Sequence, residues 1–188
     1  MTRKSVGFTI GLVAALVGGL AFIASPASAA DKTEQWAQID SLVAKQLSNM
    51  PGGHKVARNK IEWPKLGAVM EYPSPDQTIQ LSGTVHNCAP GYTCLYGDGW
   101  FNSPNVPARQ RWQLSFYYCN LVDLGAWGVR NQASSWVNNQ PNLRAALHQY
   151  RYDSTPANGY VQLWAAYGYA ENGDTGPSND KVDLVDPC

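Results

Sequence analysis

The sequence predicts a mainly β fold, a sandwich or a small barrel, preceded by one helix and a short hairpin. Three observations predict it. Aromatic and turn-forming residues are abundant, with Trp 7, Tyr 10, Gly 17 and Pro 12 in 188 residues. Short apolar runs such as Cys94-Leu95-Tyr96, Trp112 to Tyr118, Ser135-Trp136-Val137 and Val161 to Trp164 alternate with turn clusters. Charged residues are only 15%, which excludes a charge-rich long helix or coiled coil. Lys+Arg and Asp+Glu are 14 each, so no basic surplus exists for nucleic-acid binding through phosphates.

Residues 1–29 read as a signal peptide. Arg3 and Lys4 precede an apolar run from Val6 to Ile23, Pro26 breaks it, and Ala27-Ser28-Ala29 supplies the small-x-small pattern of a cleavage site. The run is long enough to act instead as a membrane anchor, but the exit after a proline favours cleavage. The expected product is secreted, extracellular and free of the membrane.

Residues 30–76 form an N-terminal annex in this reading. Trp36, Ile39, Val43, Leu47 and Met50 recur every three or four residues and make one apolar stripe of a helix. Asp31 and Glu34 have capping-box spacing, and Pro51-Gly52-Gly53 stops the helix. A hairpin follows, with strands Lys55–Trp63 and Ala68–Tyr72 and a turn at Pro64–Gly67. So few apolar groups cannot make their own core, so the annex is expected to pack on the main domain, residues 77–188.

In an exported chain, four cysteines point to disulfides before metal or catalysis. Four cysteines allow three pairings. The Pro90-Gly91 turn brings Cys88 and Cys94 together, which leaves Cys119 with Cys188. Zinc competes poorly, because the spacing is wrong and His86 is the only histidine near by.

Two stretches share a pattern of leucine, aromatic, four residues, aromatic. They are Leu95-Tyr96 with Phe101, and Leu163-Trp164 with Tyr169. One aromatic packs beneath a folded strand corner and the other pins it. Two such copies fit two similar four-strand units, a double Greek key. Charge is also uneven. Arg109, Arg111, Arg130, Arg144 and Arg151 meet only Asp123 in the middle of the chain, whereas Glu171, Asp174, Asp180, Asp183 and Asp186 crowd the end. The acidic end is expected to lie across the basic middle.

Cys88-Ala89-Pro90-Gly91-Tyr92-Thr93-Cys94-Leu95-Tyr96 resembles the opening motif of the secreted actinobacterial peptidase inhibitors of family I36, which are βγ-crystallin-like. Trp127 to Asn139, with its Ala133-Ser134-Ser135 core, resembles their later segment. The resemblance covers residues 85–140 well and the remainder loosely. It implies a βγ-crystallin-like double Greek-key sandwich. It also implies a monomeric, non-enzymatic inhibitor of an extracellular peptidase, a metalloendopeptidase, acting through a disulfide-rigidified loop. The loops in question are Cys88–Cys94 and Asp98–Arg111, with Trp100, Phe101, Arg109 and Arg111 as candidate contacts. Corner packing suits Phe101 better than Trp100. The alternative is a non-inhibitory secreted binding module, directed at a cell surface or killer-toxin-like.

The chain departs from that family in two places. Ser103 and Glu171 stand where the corner motif has glycine. The calcium motif of the fold is kept only by halves. Arg130 to Ser135 retains the serines but opens on a cation, whereas Asn179 to Leu184 retains the acidic pair and loses the serines. Asn179 and Asp180 are thus the calcium candidates, and no other cofactor is expected. Without the family motif, Ser134 and Ser135 would only cap turns. No Gly-x-Ser-x-Gly elbow, HExxH helix or Walker loop is present, and His54, His86 and His148 are far apart.

Overall fold

The computed structural model describes residues 29–76, 86–102, 107–150 and 159–188. Residues 1–28 of the signal-peptide segment and Ser103 lie outside the described residues. Helix α1 spans Ala29–Asn49. Its stripe is amphipathic as the spacing predicts: Ile39 and Val43 are fully buried, and Trp36, Leu47 and Met50 pack against them. No helix among the described residues is long and apolar enough to cross a membrane.

Three strands follow in place of the expected hairpin: β1 (His54–Ala57), β2 (Lys60–Trp63) and β3 (Ala68–Glu71). The long first strand breaks at Arg58 and Asn59. Arg58 is drawn out to Asp40 of α1 at 2.7 Å and lies 4.5 Å over the Trp36 ring. Asn59 donates its side-chain amide to the Tyr72 carbonyl at 2.6 Å. In β2 and β3, Ile61 faces Met70 and Trp63 faces Ala68, all buried, while Glu62 and Val69 point the other way. That alternation is the two-residue period of a half-buried sheet.

The remaining strands are β4 (Thr93–Tyr96), β5 (Gln113–Phe116), β6 (Val122–Asp123), β7 (Ser135–Asn138), β8 (Arg144–Tyr150), β9 (Tyr160–Tyr167), β10 (Ala170–Asn172) and β11 (Leu184–Asp186). They form two antiparallel sheets. One has seven strands in the order β1-β2-β3-β5-β4-β7-β10, and the other has four in the order β6-β11-β8-β9. Strand β3 pairs with β5, so the annex extends the main sheet. Strands β4 to β7 keep three members in the larger sheet and lend β6 to the smaller. Strands β8 to β11 do the reverse, lending β10. The core lies between the sheets and includes Leu95, Leu114, Phe116, Trp136, Leu147 and Val185. Trp127 joins it and meets Trp63 edge-on at 4.7 Å.

Two disulfides close the structure, Cys88–Cys94 and Cys119–Cys188, the pairing read from the turn. The C-terminus is held further by Thr93, whose hydroxyl donates to the Pro187 carbonyl at 2.9 Å. Among the described residues the acidic end meets the basic middle at Arg130, which lies 3.7 Å from Asp183 and also holds Asp123 of the middle at 2.6 Å; Arg151 lies outside the described residues.

The two aromatic copies occupy unlike places. Tyr96 ends β4, the first strand of its unit, whereas Trp164 lies inside β9, the second strand of its unit. Phe101 packs edge-on against buried Tyr96 at 5.5 Å. Tyr169 is exposed, at the turn where the chain leaves one sheet for the other. Only the first copy is a pinned corner.

Candidate functional site

The corner after β4 is the most constrained backbone among the described residues. Trp100, Phe101 and Asn102 all carry left-handed φ values, 52°, 59° and 68°. Each such residue without glycine's freedom costs about 1–2 kcal/mol, so three in succession need compensation. Hydrogen bonds supply it. The Trp100 amide donates to the Gly173 carbonyl at 2.6 Å. The Phe101 amide donates to Ser135 Oγ at 3.1 Å, and that hydroxyl donates on to the Asp98 carbonyl at 2.7 Å. The Asp98 amide donates to Asn102 Oδ1 at 3.3 Å, and Asn102 Nδ2 donates to the Trp112 carbonyl at 3.1 Å. Gly97 opens the turn where a side chain would collide with the Gln110 carbonyl and the Trp112 ring.

Side chains lock the turn from outside. Phe101 is stacked on His86 at 3.6 Å with the rings nearly parallel. His86 also lies 3.2 Å from Glu171. Tyr96 donates its phenol to the His86 carbonyl at 2.9 Å, and burial, with Glu171 near, holds that phenol far above the ordinary tyrosine range. Trp100 is left 73% exposed.

The other candidates fall elsewhere. Arg109 lines a cleft of about 570 Å³ against Gln46 of α1, together with Asn179 and Asp180. Trp100, Phe101 and Arg111 do not line it. Arg111 is half-buried, and desolvation pulls its guanidinium down despite the opposing charge of Asp98. Tyr72 lines the cleft floor, and burial pushes its phenol up to about 12.

The calcium-type segments precede β7 and β11, equivalent places in the two units. In the first, the Arg130 guanidinium already neutralises Asp123 and Asp183, so this segment does not fit a cation. Burial pushes the Asp123 carboxyl up, but hydrogen bonds from Arg130, the Gly125 amide and Tyr150 outweigh it and leave it below the usual range. In the second, both oxygens of Asp180 already accept hydrogen bonds, from Ser134 at 3.3 Å and from Asn179 at 3.2 Å. Asn179 Oδ1 in turn accepts from Thr175. Among the described residues no group of three or more His, Cys, Asp or Glu is placed to hold a metal ion. One carboxylate whose two oxygens each already accept a hydrogen bond is a sparse donor set for Ca²⁺, which takes six to eight oxygens.

The structure leaves Trp100 exposed and packs Phe101 against Tyr96 and His86 at the corner. Sequence reasoning read Ser135 as a turn cap and missed that the capped turn belongs to Phe101, 34 residues away. Gly173 and His86 carried no local signal, because their roles exist only after β10 crosses to the larger sheet. No family model, no curated protein and no solved structure matches this chain.

Proposed function

We propose that this chain is a secreted peptidase inhibitor of the βγ-crystallin-like kind, directed at metalloendopeptidases through the Trp100 turn. One observation carries the proposal: an exposed tryptophan stands on a left-handed turn locked by five hydrogen bonds and a stacked Phe101–His86 pair. A loop already shaped for its target loses little entropy on binding. A rigid aromatic anchor is the commonest kind of hot spot. The exchange of β6 and β10 between sheets is the strand order that a double Greek key of this kind requires, and it supports the fold half of the proposal. The motif resemblance at Cys88–Tyr96 supplies the target class.

The test is a titration of thermolysin-like and serine peptidases with the disulfide-bonded protein. Inhibition of a metalloendopeptidase is expected. Trp100→Ala should weaken it about thirtyfold or more, the usual loss at a hot spot, with no fall in melting temperature. Full peptidase activity under a large molar excess of the protein would overturn the proposal.

A further inference from the structure

On the face of the seven-stranded sheet turned away from the core lies a groove of about 270 Å³. Glu62 and Val69, opposite each other in register, form its floor. Tyr92, Tyr117 and Tyr118 form its aromatic side. Their rings are tilted rather than stacked: Tyr92 and Tyr117 lie 5.3 Å apart at 53°, and Tyr117 and Tyr118 lie 5.8 Å apart at 67°. Tyr117 and Tyr118 remain 52% and 45% exposed.

These rings are held in place. Tyr92 sits inside the Cys88–Cys94 ring, and Tyr117 and Tyr118 directly precede Cys119, which is tied to Cys188. A Cβ at Gly67 would lie 2.7 Å from the Tyr118 ring, and one at Gly91 would lie 3.2 Å from Tyr117. Each of these rings therefore rests on bare backbone. A row of three aromatic rings, each tilted against the next, beside one carboxylate supplies the elements of a cation-binding aromatic site.

We propose that this groove binds a compact quaternary ammonium group, with Tyr92, Tyr117 and Tyr118 offering their faces and Glu62 its charge. Among the described residues Glu62 is the only charged side chain lining the groove. Lys60 pairs with Glu62 at 3.7 Å, so a bound cation shares that carboxylate with the Lys60 ammonium. A quaternary ammonium carries no N–H and needs no acceptor, so it suits walls of π-density better than a lysine ammonium does. Burial raises the Tyr92 phenol, and the nearby Glu62 carboxylate adds to that shift. The site does not involve Trp100 and stands apart from the inhibitor proposal.

The test is calorimetric titration of the full disulfide-bonded chain with tetramethylammonium and with choline. The uncharged isostere 3,3-dimethylbutan-1-ol is the control. Saturable binding at millimolar concentration is expected for both cations, on the order of tenfold weaker for the isostere. Tyr117→Ala should weaken cation binding on the order of tenfold while Tyr117→Phe retains it. Glu62→Gln, an exposed isosteric change, should weaken it severalfold and serves if Tyr117→Ala folds poorly. Phosphatidylcholine vesicles against phosphatidylglycerol vesicles separate a lipid headgroup from a free cation. No saturable binding of either cation, equal binding of the isostere, or indifference to both Tyr117→Ala and Glu62→Gln would overturn the proposal.

Discussion

The amide of Asn131 donates to the carbonyl of Val182 at 2.9 Å, joining the segment before β7 to the segment before β11. The equivalent bond runs back, from the Asp180 amide to the Ala133 carbonyl at 3.3 Å. Asn131 and Asp180 share a left-handed backbone, at φ 56° and 54°. One more reciprocal pair follows the same internal two-fold: Leu124 donates to Asp183 as Thr175 donates to Ser134. Within each unit the matching bonds run from Ser134 to Tyr96 and from Asp183 to His148. Each unit thus completes the backbone hydrogen bonding of the other, so neither half has a closed set of partners alone.

Interlocked halves and a shared sheet should unfold as one. Far-ultraviolet circular dichroism and near-ultraviolet tryptophan signals are expected to give coincident melting curves. Trp63 joins the annex to this unit, meeting Trp127 and donating to the Met50 carbonyl at 2.9 Å. Trp63→Ala should cost about 3–5 kcal/mol. Separate transitions for α1 with β1–β3 and for the remainder would contradict this.

Ser135 is fully buried and serves two backbone groups of the Trp100 turn. Ser135→Ala leaves the Phe101 amide and the Asp98 carbonyl without it, a cost of about 1–3 kcal/mol. Hydrogen exchange at the Phe101 amide should accelerate more than at the β8 amides. Uniform acceleration would mean that the hydroxyl supports the fold generally and not the turn.

The disulfides differ in reach, with sequence separations of 69 for Cys119–Cys188 and 6 for Cys88–Cys94. On the chain-entropy model their removal costs about 4 and about 2 kcal/mol respectively. The variants Cys119→Ala/Cys188→Ala and Cys88→Ala/Cys94→Ala should therefore melt in that order, the first pair lower. The second pair should also loosen Tyr92 and weaken cation binding. The reverse order of melting would show that local packing around Cys88 dominates loop entropy.

His148 is buried beneath Tyr160, at 4.8 Å between rings. Burial holds its imidazole below the ordinary histidine value of 6.5; Asp186 opposes that shift and Arg144 adds to it. The folded state then favours the neutral ring. As pH falls below 6.5 the unfolded chain takes up a proton that the folded chain refuses, so stability drops until the folded histidine also protonates. At lower pH the carboxylates oppose one another. Asp123, held down, loses stabilisation as it protonates, whereas Asp183, held up by burial, gains it. His148→Gln should flatten the decline in melting temperature between neutral and mildly acidic pH. An unchanged slope would show that His148 does not carry the decline.

The apolar stripe of α1 was legible because a helix face is set by spacing within one segment, and the structure buries Ile39 and Val43 where that spacing put them. Gln46, buried on the same helix, was not, because only its neighbours across the cleft decide its environment. The hairpin expectation failed at Arg58, where a contact with α1 outweighed strand alternation. The aromatic repeat failed at Trp164, because spacing cannot show which sheet the next strand will join.

By itself the sequence determined what depends on near neighbours along the chain. That includes the helix face, the β character of the remainder, the Cys88–Cys94 ring closed by Pro90-Gly91, and by elimination the Cys119–Cys188 pair. Tertiary structure alone decided the exchange of β6 and β10, the partners of the Trp100 turn and the meeting of Tyr92 with Tyr117. These join residues far apart in sequence, and their free energy comes from burial and hydrogen bonds that exist only once both sheets have closed on one core.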